Sequence, residues 1–174
     1  MRIRGGELGS SWRTRLPGVG GAGEETSSTI VEGVRGADRT FVDTNVLVYA
    51  HDRSDTEKQA IAQRVLDELW QSRTGALSTQ VLQEFYVVAT RKFDPRMSAE
   101  VAREILALYG EWSVTAVDLA MILDASVLEE AQQLSFWDAL IVEAARRSGA
   151  QRLLTEDLQA DRVIGGVRIE NPFD

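Results

Sequence analysis

The chain has 174 residues, 44% of them hydrophobic and 26% charged, with one histidine, no cysteine and a net charge of −8. That is one globular domain able to build a core without staples. The composition excludes disulfides, thiolate nucleophiles, cysteine-based zinc sites and any nuclease chemistry that needs two histidines. The acidic balance counts against a broad non-specific nucleic-acid footprint, which needs Lys and Arg to neutralise phosphates, but it leaves room for acids gathered round a metal ion.

Residues 1–38 hold most of the glycines and a Thr26-Ser27-Ser28-Thr29 cluster, with no helical or strand period. They read as a disordered leader or a mis-assigned translation start. A functional reading would use Trp12, Arg13 and Arg15 as a basic-aromatic patch for RNA. The start lacks the apolar region of a secretory signal and no run is long enough for a membrane span, so the expected location is the cytoplasm.

The folded domain is expected over 39–174. Phe41–Asp43 reads as a short buried strand, followed by a helix to about His51. Ser54-Asp55 caps a second helix in which Ala60, Ile61, Val65, Leu66, Leu69 and Trp70 recur at helical spacing, with Gly75 ending it. Ala76–Ser78 is a strand, and Ser78 or Thr79 caps a helix over 80–92. Asp94-Pro95 breaks the pattern. Ser98–Gly110 is an amphipathic helix with Val101, Ile105, Leu106 and Leu108 inward. A strand over 113–117, a helix over 119–134 and a Ser135-capped helix to Gly149 follow. Arg152–Thr155 and Val167–Glu170 are the last strands. Such alternation predicts an α/β fold with a parallel sheet covered on both faces.

Four acids stand where solvation does not account for them. Asp43 and Asp157 each follow a buried strand, at the carboxyl end where open α/β sheets place ligands. Capping of the next helix would account for Asp43 alone, although Thr44 and Asn45 could share that task. Glu84 lies on an edge of the stripe formed by Val81, Leu82, Phe85, Val88 and Ala89. It needs a partner or a metal there, unless it pairs with Arg91 or Lys92 or sits exposed at the flank. Asp138 occupies the first turn of a helix that is apolar almost all round, a placement the helix N-terminus also favours. Converging carboxylates would repel unless a cation sat among them, and hard oxygen ligands select Mg²⁺ or Mn²⁺. Glu156 and Asp161 are near enough to be alternates, whereas Asp118, Asp124, Glu129 and Glu130 read as a solvated helix face.

These segments, Phe41-Val42-Asp43-Thr44-Asn45, Gln83-Glu84-Phe85, Ser135-Phe136-Trp137-Asp138-Ala139-Leu140-Ile141 and Leu154-Thr155-Glu156-Asp157-Leu158-Gln159, with the closing Gly166–Phe173, resemble the PIN-domain family, specifically the VapC-type ribonuclease toxins of toxin–antitoxin pairs. The resemblance covers roughly 39–173. It implies a three-layer α/β/α fold and a Mg²⁺-dependent endoribonuclease (Mn²⁺ a possible substitute) that inhibits translation and growth. It carries the acidic residues over to Asp43, Glu84, Asp138 and Asp157, with Asn45 and Thr155 in support. It further implies an RNA substrate, a cognate antitoxin protein and a homodimer. The leader departs from the family, whose members begin at the first strand. Arg91, Lys92 and Arg96 are candidates to hold the RNA backbone.

Three rivals remain. A haloacid-dehalogenase-type phosphatase needs a second aspartate two positions after the first, where Asn45 stands. A receiver domain needs an acidic pair near its first strand and a late lysine, and neither is evident. A non-catalytic PIN-like module would dock a protein partner through the helices at Ile61–Trp70 and Val101–Leu108.

Overall fold

The computed structural model describes residues 39–174; the expectations for residues 1–38, leader and basic-aromatic patch alike, lie outside the described residues. In chain order the elements are β1 (Thr40–Val42), α1 (Thr44–His51), α2 (Thr56–Ser72), β2 (Gly75–Ser78), α3 (Thr79–Arg91) and α4 (Ala99–Tyr109). After them come β3 (Ser113–Thr115), α5 (Leu119–Gln132), α6 (Phe136–Arg147), β4 (Arg152–Leu154), β5 (Val163–Ile164) and β6 (Val167–Glu170).

Six strands form one sheet in the order β3-β2-β1-β4-β6-β5. All neighbours run parallel except β5 and β6. Every residue of β1 and β2 is buried, as a parallel sheet covered on both faces requires. The helices fall into two groups: α5 packs on α6, which contacts β2, β4 and β6, while α1 packs on α2 and α3, and α3 on α4. The fold is the expected α/β/α arrangement. The core includes Phe41, Leu47, Leu77, Phe85, Val142, Leu153 and Ile169.

The topology places one crevice. The chain steps from β1 outward to β2 and β3, then returns to the other side of β1 for β4. The order therefore reverses between β1 and β4, where neighbouring connections leave in opposite directions and open a gap beyond the carboxyl ends of the strands.

Local capping explains most boundaries. Asp55, Ser78, Ser98, Asp118 and Ser135 each accept a backbone N–H from the first turn of the helix they precede. Three details differ from the sequence expectation. Helix α2 ends at Ser72, and Arg73 takes the left-handed cap at φ 56°; Gly75 instead opens β2, where a Cβ would collide with the Trp112 ring. Its buried face is Ala62, Leu66 and Leu69, with Ala60 outside. Strand β5 was not expected: it pairs with β6 through Gly165 (φ 58°) and Gly166 (φ 85°), the paired left-handed conformations of a tight hairpin turn.

The stripes at Ile61–Trp70 and Val101–Leu108 are engaged in this core, with Leu66, Leu69 and Ile105 buried and Trp70, Val101 and Leu106 packed against it. Exposed apolar side chains gather instead on α5, at Leu119, Ile122, Leu123 and Val127. Glu143 is buried on α6 and paired with Arg146 and Arg147. Arg147 also reaches Asp124 on α5 and its N-cap Asp118; both acids are exposed, as expected for a solvated face, and pair with Arg147 there. Among the described residues no helix is long and apolar enough to cross a membrane.

Candidate functional site

Asp43 stands at the reversal point, between the end of β1 and the start of α1. Its backbone N–H continues the sheet ladder to the Leu154 carbonyl at 3.0 Å, which fixes the side chain at the mouth of the crevice. It is only 7% exposed. Oδ1 accepts from the Thr44 N–H at 2.6 Å, and Oδ2 accepts from the Thr155 hydroxyl at 2.7 Å. Capping and site geometry thus use different oxygens of one carboxylate.

From Asp43 the network extends both ways. Asn45, in the first turn of α1, donates to Asp157 Oδ2 at 3.0 Å, to Thr155 Oγ1 at 3.2 Å and to Asp43 Oδ2 at 3.4 Å. Thr155 Oγ1 also accepts the Asp157 N–H at 3.1 Å, while the Thr155 N–H bonds Glu170 of β6. On the other side, Thr44 donates to Glu84 Oε2 at 2.7 Å and Gln80 donates to Glu84 Oε1 at 3.0 Å. Glu84 is therefore held by α1 and by its own helix one turn back. Neither Arg91 nor Lys92 is its partner. Both lie exposed at the far end of α3, with Arg91 roughly 10 Å along the axis from Glu84.

Of the residues singled out in the sequence, the structure joins Asp43, Asn45, Glu84, Thr155 and Asp157 in one hydrogen-bonded network. Asp138 is not hydrogen-bonded to it. Half-buried in the first turn of α6, it accepts at Oδ2 from the Ser135 hydroxyl at 2.7 Å, and Ser135 Oγ accepts the Asp138 N–H in return. Glu156 turns to Tyr49 and Lys58, and Asp161 pairs with Arg168 at the β5–β6 hairpin. Two members were missed in the sequence. Gln80 lies at the i, i+4 spacing from Glu84 that brings side chains together on a helix, and Thr44 was read only as a cap.

The electrostatics follow from burial and crowding. Burial pushes the Asp43 carboxyl from its ordinary 3.8 up to about 6, and the nearby charges of Asp157 and Glu84 push the same way. The bonds from Thr155 and the Thr44 N–H hold it down but do not win.

Among the described residues no three His, Asp or Glu side chains stand in a ready metal-holding arrangement: the hydroxyl of Thr44 and the amide of Asn45 stand between the carboxylates. The donor chemistry nonetheless suits a hard divalent cation, since it consists of carboxylate, hydroxyl and amide oxygens. Two buried amide oxygens of the network, Asn45 Oδ1 and Gln80 Oε1, have no hydrogen-bond partner. Positive charge among these groups would reverse the repulsion that raises Asp43.

A model of the PIN domain matches residues 40–165. The Mycobacterium tuberculosis VapC20 toxin, which cleaves the sarcin–ricin loop, is 25% identical with a TM-score of 0.51, over 66% of this chain and 86% of that one. A toxin–antitoxin complex from Klebsiella pneumoniae is 21% identical with a TM-score of 0.56, over 76% and 97%. VapBC2 from Rickettsia felis, bound to a fragment of promoter DNA, is 20% identical with a TM-score of 0.53, over 76% and 97%. The last two show a common fold. No curated protein sequence matches significantly.

Proposed function

Since the chain belongs to the PIN-domain family, we propose that it is a metal-dependent endoribonuclease, the toxin of a toxin–antitoxin pair, whose cleavage of RNA inhibits translation and growth in the cytoplasm. The observation that carries this reading is the network at the strand-order reversal, where Asp43 is linked through Thr155 and Asn45 to Asp157 and through Thr44 to Glu84.

Asp43 and Asp138, the latter from the first turn of α6, would be the primary ligands of Mg²⁺, or Mn²⁺ in its place, with Glu84 and Asp157 completing the set directly or through water. When bound, such an ion lowers the pKa of water, polarises the phosphoryl oxygen and offsets the charge that develops on it. The protein's own groups do the positioning. Thr155 and the Thr44 N–H fix both oxygens of Asp43, Asn45 orients Asp157, and Thr44 with Gln80 orients Glu84. No histidine base is needed, which suits a chain with one histidine. Hydrolysis by water leaves a 5′-phosphate and a 3′-hydroxyl.

The complexes among the structural neighbours support an antitoxin partner, and a homodimer is part of the same reading. The test is cleavage by the purified protein of RNA containing the sarcin–ricin loop, the target of one neighbour, alongside total tRNA and mRNA. Cleavage that requires Mg²⁺ or Mn²⁺ and stops with EDTA supports the proposal. Cleavage of no RNA under any divalent condition would favour a non-catalytic module acting through protein contacts.

A further inference from the structure

Two residues one turn apart on α1 grip two consecutive residues of the segment after β4. Asn45 donates to Asp157 Oδ2 at 3.0 Å, and the Tyr49 hydroxyl donates to Glu156 Oε1 at 2.5 Å. The second rung is closed from α2. Lys58 Nζ donates to Glu156 Oε2 and, at 3.1 Å, to the Tyr49 oxygen. The same ammonium lies 4.4 Å from the Tyr49 ring centroid and 5.3 Å from that of Phe173. Phe173 meets Tyr49 edge-on with centroids 5.1 Å apart, so the closing segment of the chain forms one wall of the junction.

We propose that Lys58, Tyr49 and Glu156 form a clasp that positions the Thr155–Asp157 segment against Asp43, and so sets how well the carboxylates bind a divalent cation. The inference rests on the cation reading above. The three are positioning residues: Lys58 directs its charge to Glu156 and two ring faces and is not a free cation for phosphate.

The clasp answers a physical need. Asp157 is exposed three residues beyond the end of the three-residue β4, and its charge repels that of Asp43. A loose segment would relieve that repulsion by swinging outward, taking the Thr155 hydroxyl with it. Anchoring Glu156 to two helices opposes the swing through the residue that lies between Thr155 and Asp157. The Lys58–Glu156 pair is partly shielded, with side chains 31% and 22% exposed. Two aromatic rings also share the ammonium, which strengthens it beyond an exposed ion pair.

The test is Mn²⁺ binding by the full chain, followed as loss of the free-ion spin-resonance signal, in wild type, Lys58→Met, Lys58→Arg, Tyr49→Phe and Asp43→Asn. Hydrogen exchange of residues 155–160 and steady-state RNA cleavage are read in parallel. Groups that orient ligands typically change metal affinity by about 10–100-fold. Lys58→Met is expected to weaken Mn²⁺ about tenfold, to lower kcat with the KM for RNA unchanged, and to speed exchange over 155–160. Lys58→Arg restores all three. Tyr49→Phe keeps the ring contacts and weakens Mn²⁺ by a smaller factor, which serves if Lys58→Met does not fold. Wild-type Mn²⁺ affinity in both Lys58→Met and Tyr49→Phe overturns the clasp. Wild-type protein that binds Mn²⁺ no better than Asp43→Asn overturns the cation reading itself. In that case, faster exchange in Lys58→Met would mark a purely structural brace and overturn the positioning role as well.

Discussion

The Thr155 hydroxyl donates a 2.7 Å hydrogen bond to Asp43 Oδ2 across the β1–β4 pair, at the gap where the strand order reverses. That bond helps hold the Asp43 carboxyl down against burial. Thr155→Val keeps the shape and removes the donor. We expect the Asp43 titration to move to higher pH and the rising limb of RNA cleavage against pH to move with it. Stability at neutral pH should fall by about 1.5–3 kcal/mol, the loss of a charge-assisted bond to a buried group. Denaturant unfolding and a cleavage profile between pH 5 and 9 check both.

Asp43 itself should cost the metal-free fold stability at neutral pH. Its folded pKa, about 6, lies above the ordinary 3.8. The folded state therefore binds the proton more tightly, and stability falls as pH rises through that window, with the full cost present above it. Asp43→Asn is predicted to stabilise the metal-free protein by about 1–3 kcal/mol at pH 7.5 and by nothing below about pH 4. Thermal unfolding in EDTA at the two pH values measures it. Added Mg²⁺ should raise the melting temperature of wild type and leave Asp43→Asn unmoved.

His51 acts in the opposite direction. Burial lowers its pKa from 6.5 to about 4; the ring is partly buried between Phe85 and Tyr109, and Nε2 lies 3.1 Å from the Tyr109 hydroxyl. A base whose folded pKa is depressed leaves the unfolded chain as the better proton binder, so stability falls as pH drops from 6.5 toward 4, by up to about 3 kcal/mol. His51→Phe should flatten that limb, whatever its effect on stability at pH 7.5. Urea unfolding at half-unit pH steps separates this slope from that of Asp43.

Arg147 ties α6 to Asp124 of α5 and to its N-cap Asp118, and Glu143 holds Arg147 from its own helix. Burial pushes the Glu143 carboxyl up, but hydrogen bonds from Arg146 and Arg147 outweigh that and hold it below the usual range. Removing the acid leaves Arg147 with only the exposed Asp118 and Asp124. Glu143→Ala is predicted to destabilise by about 2–3 kcal/mol, below the cost of a fully buried pair because both arginines keep access to water. A denaturant midpoint shift with an unchanged slope checks it.

How far the sequence reveals this molecule depends on the range of each interaction. Strand and helix positions were legible because capping residues such as Asp55, Ser78 and Ser135 and the stripe at Val81, Phe85 and Ala89 are local signals. Arg73 was not, because left-handed caps usually fall on glycine, and the reason Gly75 is glycine lies with Trp112, 37 positions away. Strand β5 has only two residues, too few to show a period. At the site, the acids could be picked out by their places after strands and on an inward helix face. Their partners could not, because the links Asn45–Asp157, Thr44–Glu84 and Lys58–Glu156 depend on a strand order that alternation alone leaves open. Asp138 shows the same limit: its place at the start of α6 was readable, and its hydrogen bond is to Ser135, not to the network.

The most direct test of the account is sequencing of cellular RNA 5′ ends after controlled expression of wild type and of Asp43→Asn. The account predicts new 5′-phosphate ends at discrete positions with wild type, and their loss by at least about a hundredfold with the variant, as for removal of a group that holds the ion which offsets the developing charge. The same ends at wild-type frequency with Asp43→Asn, or ends carrying a 5′-hydroxyl, would contradict it.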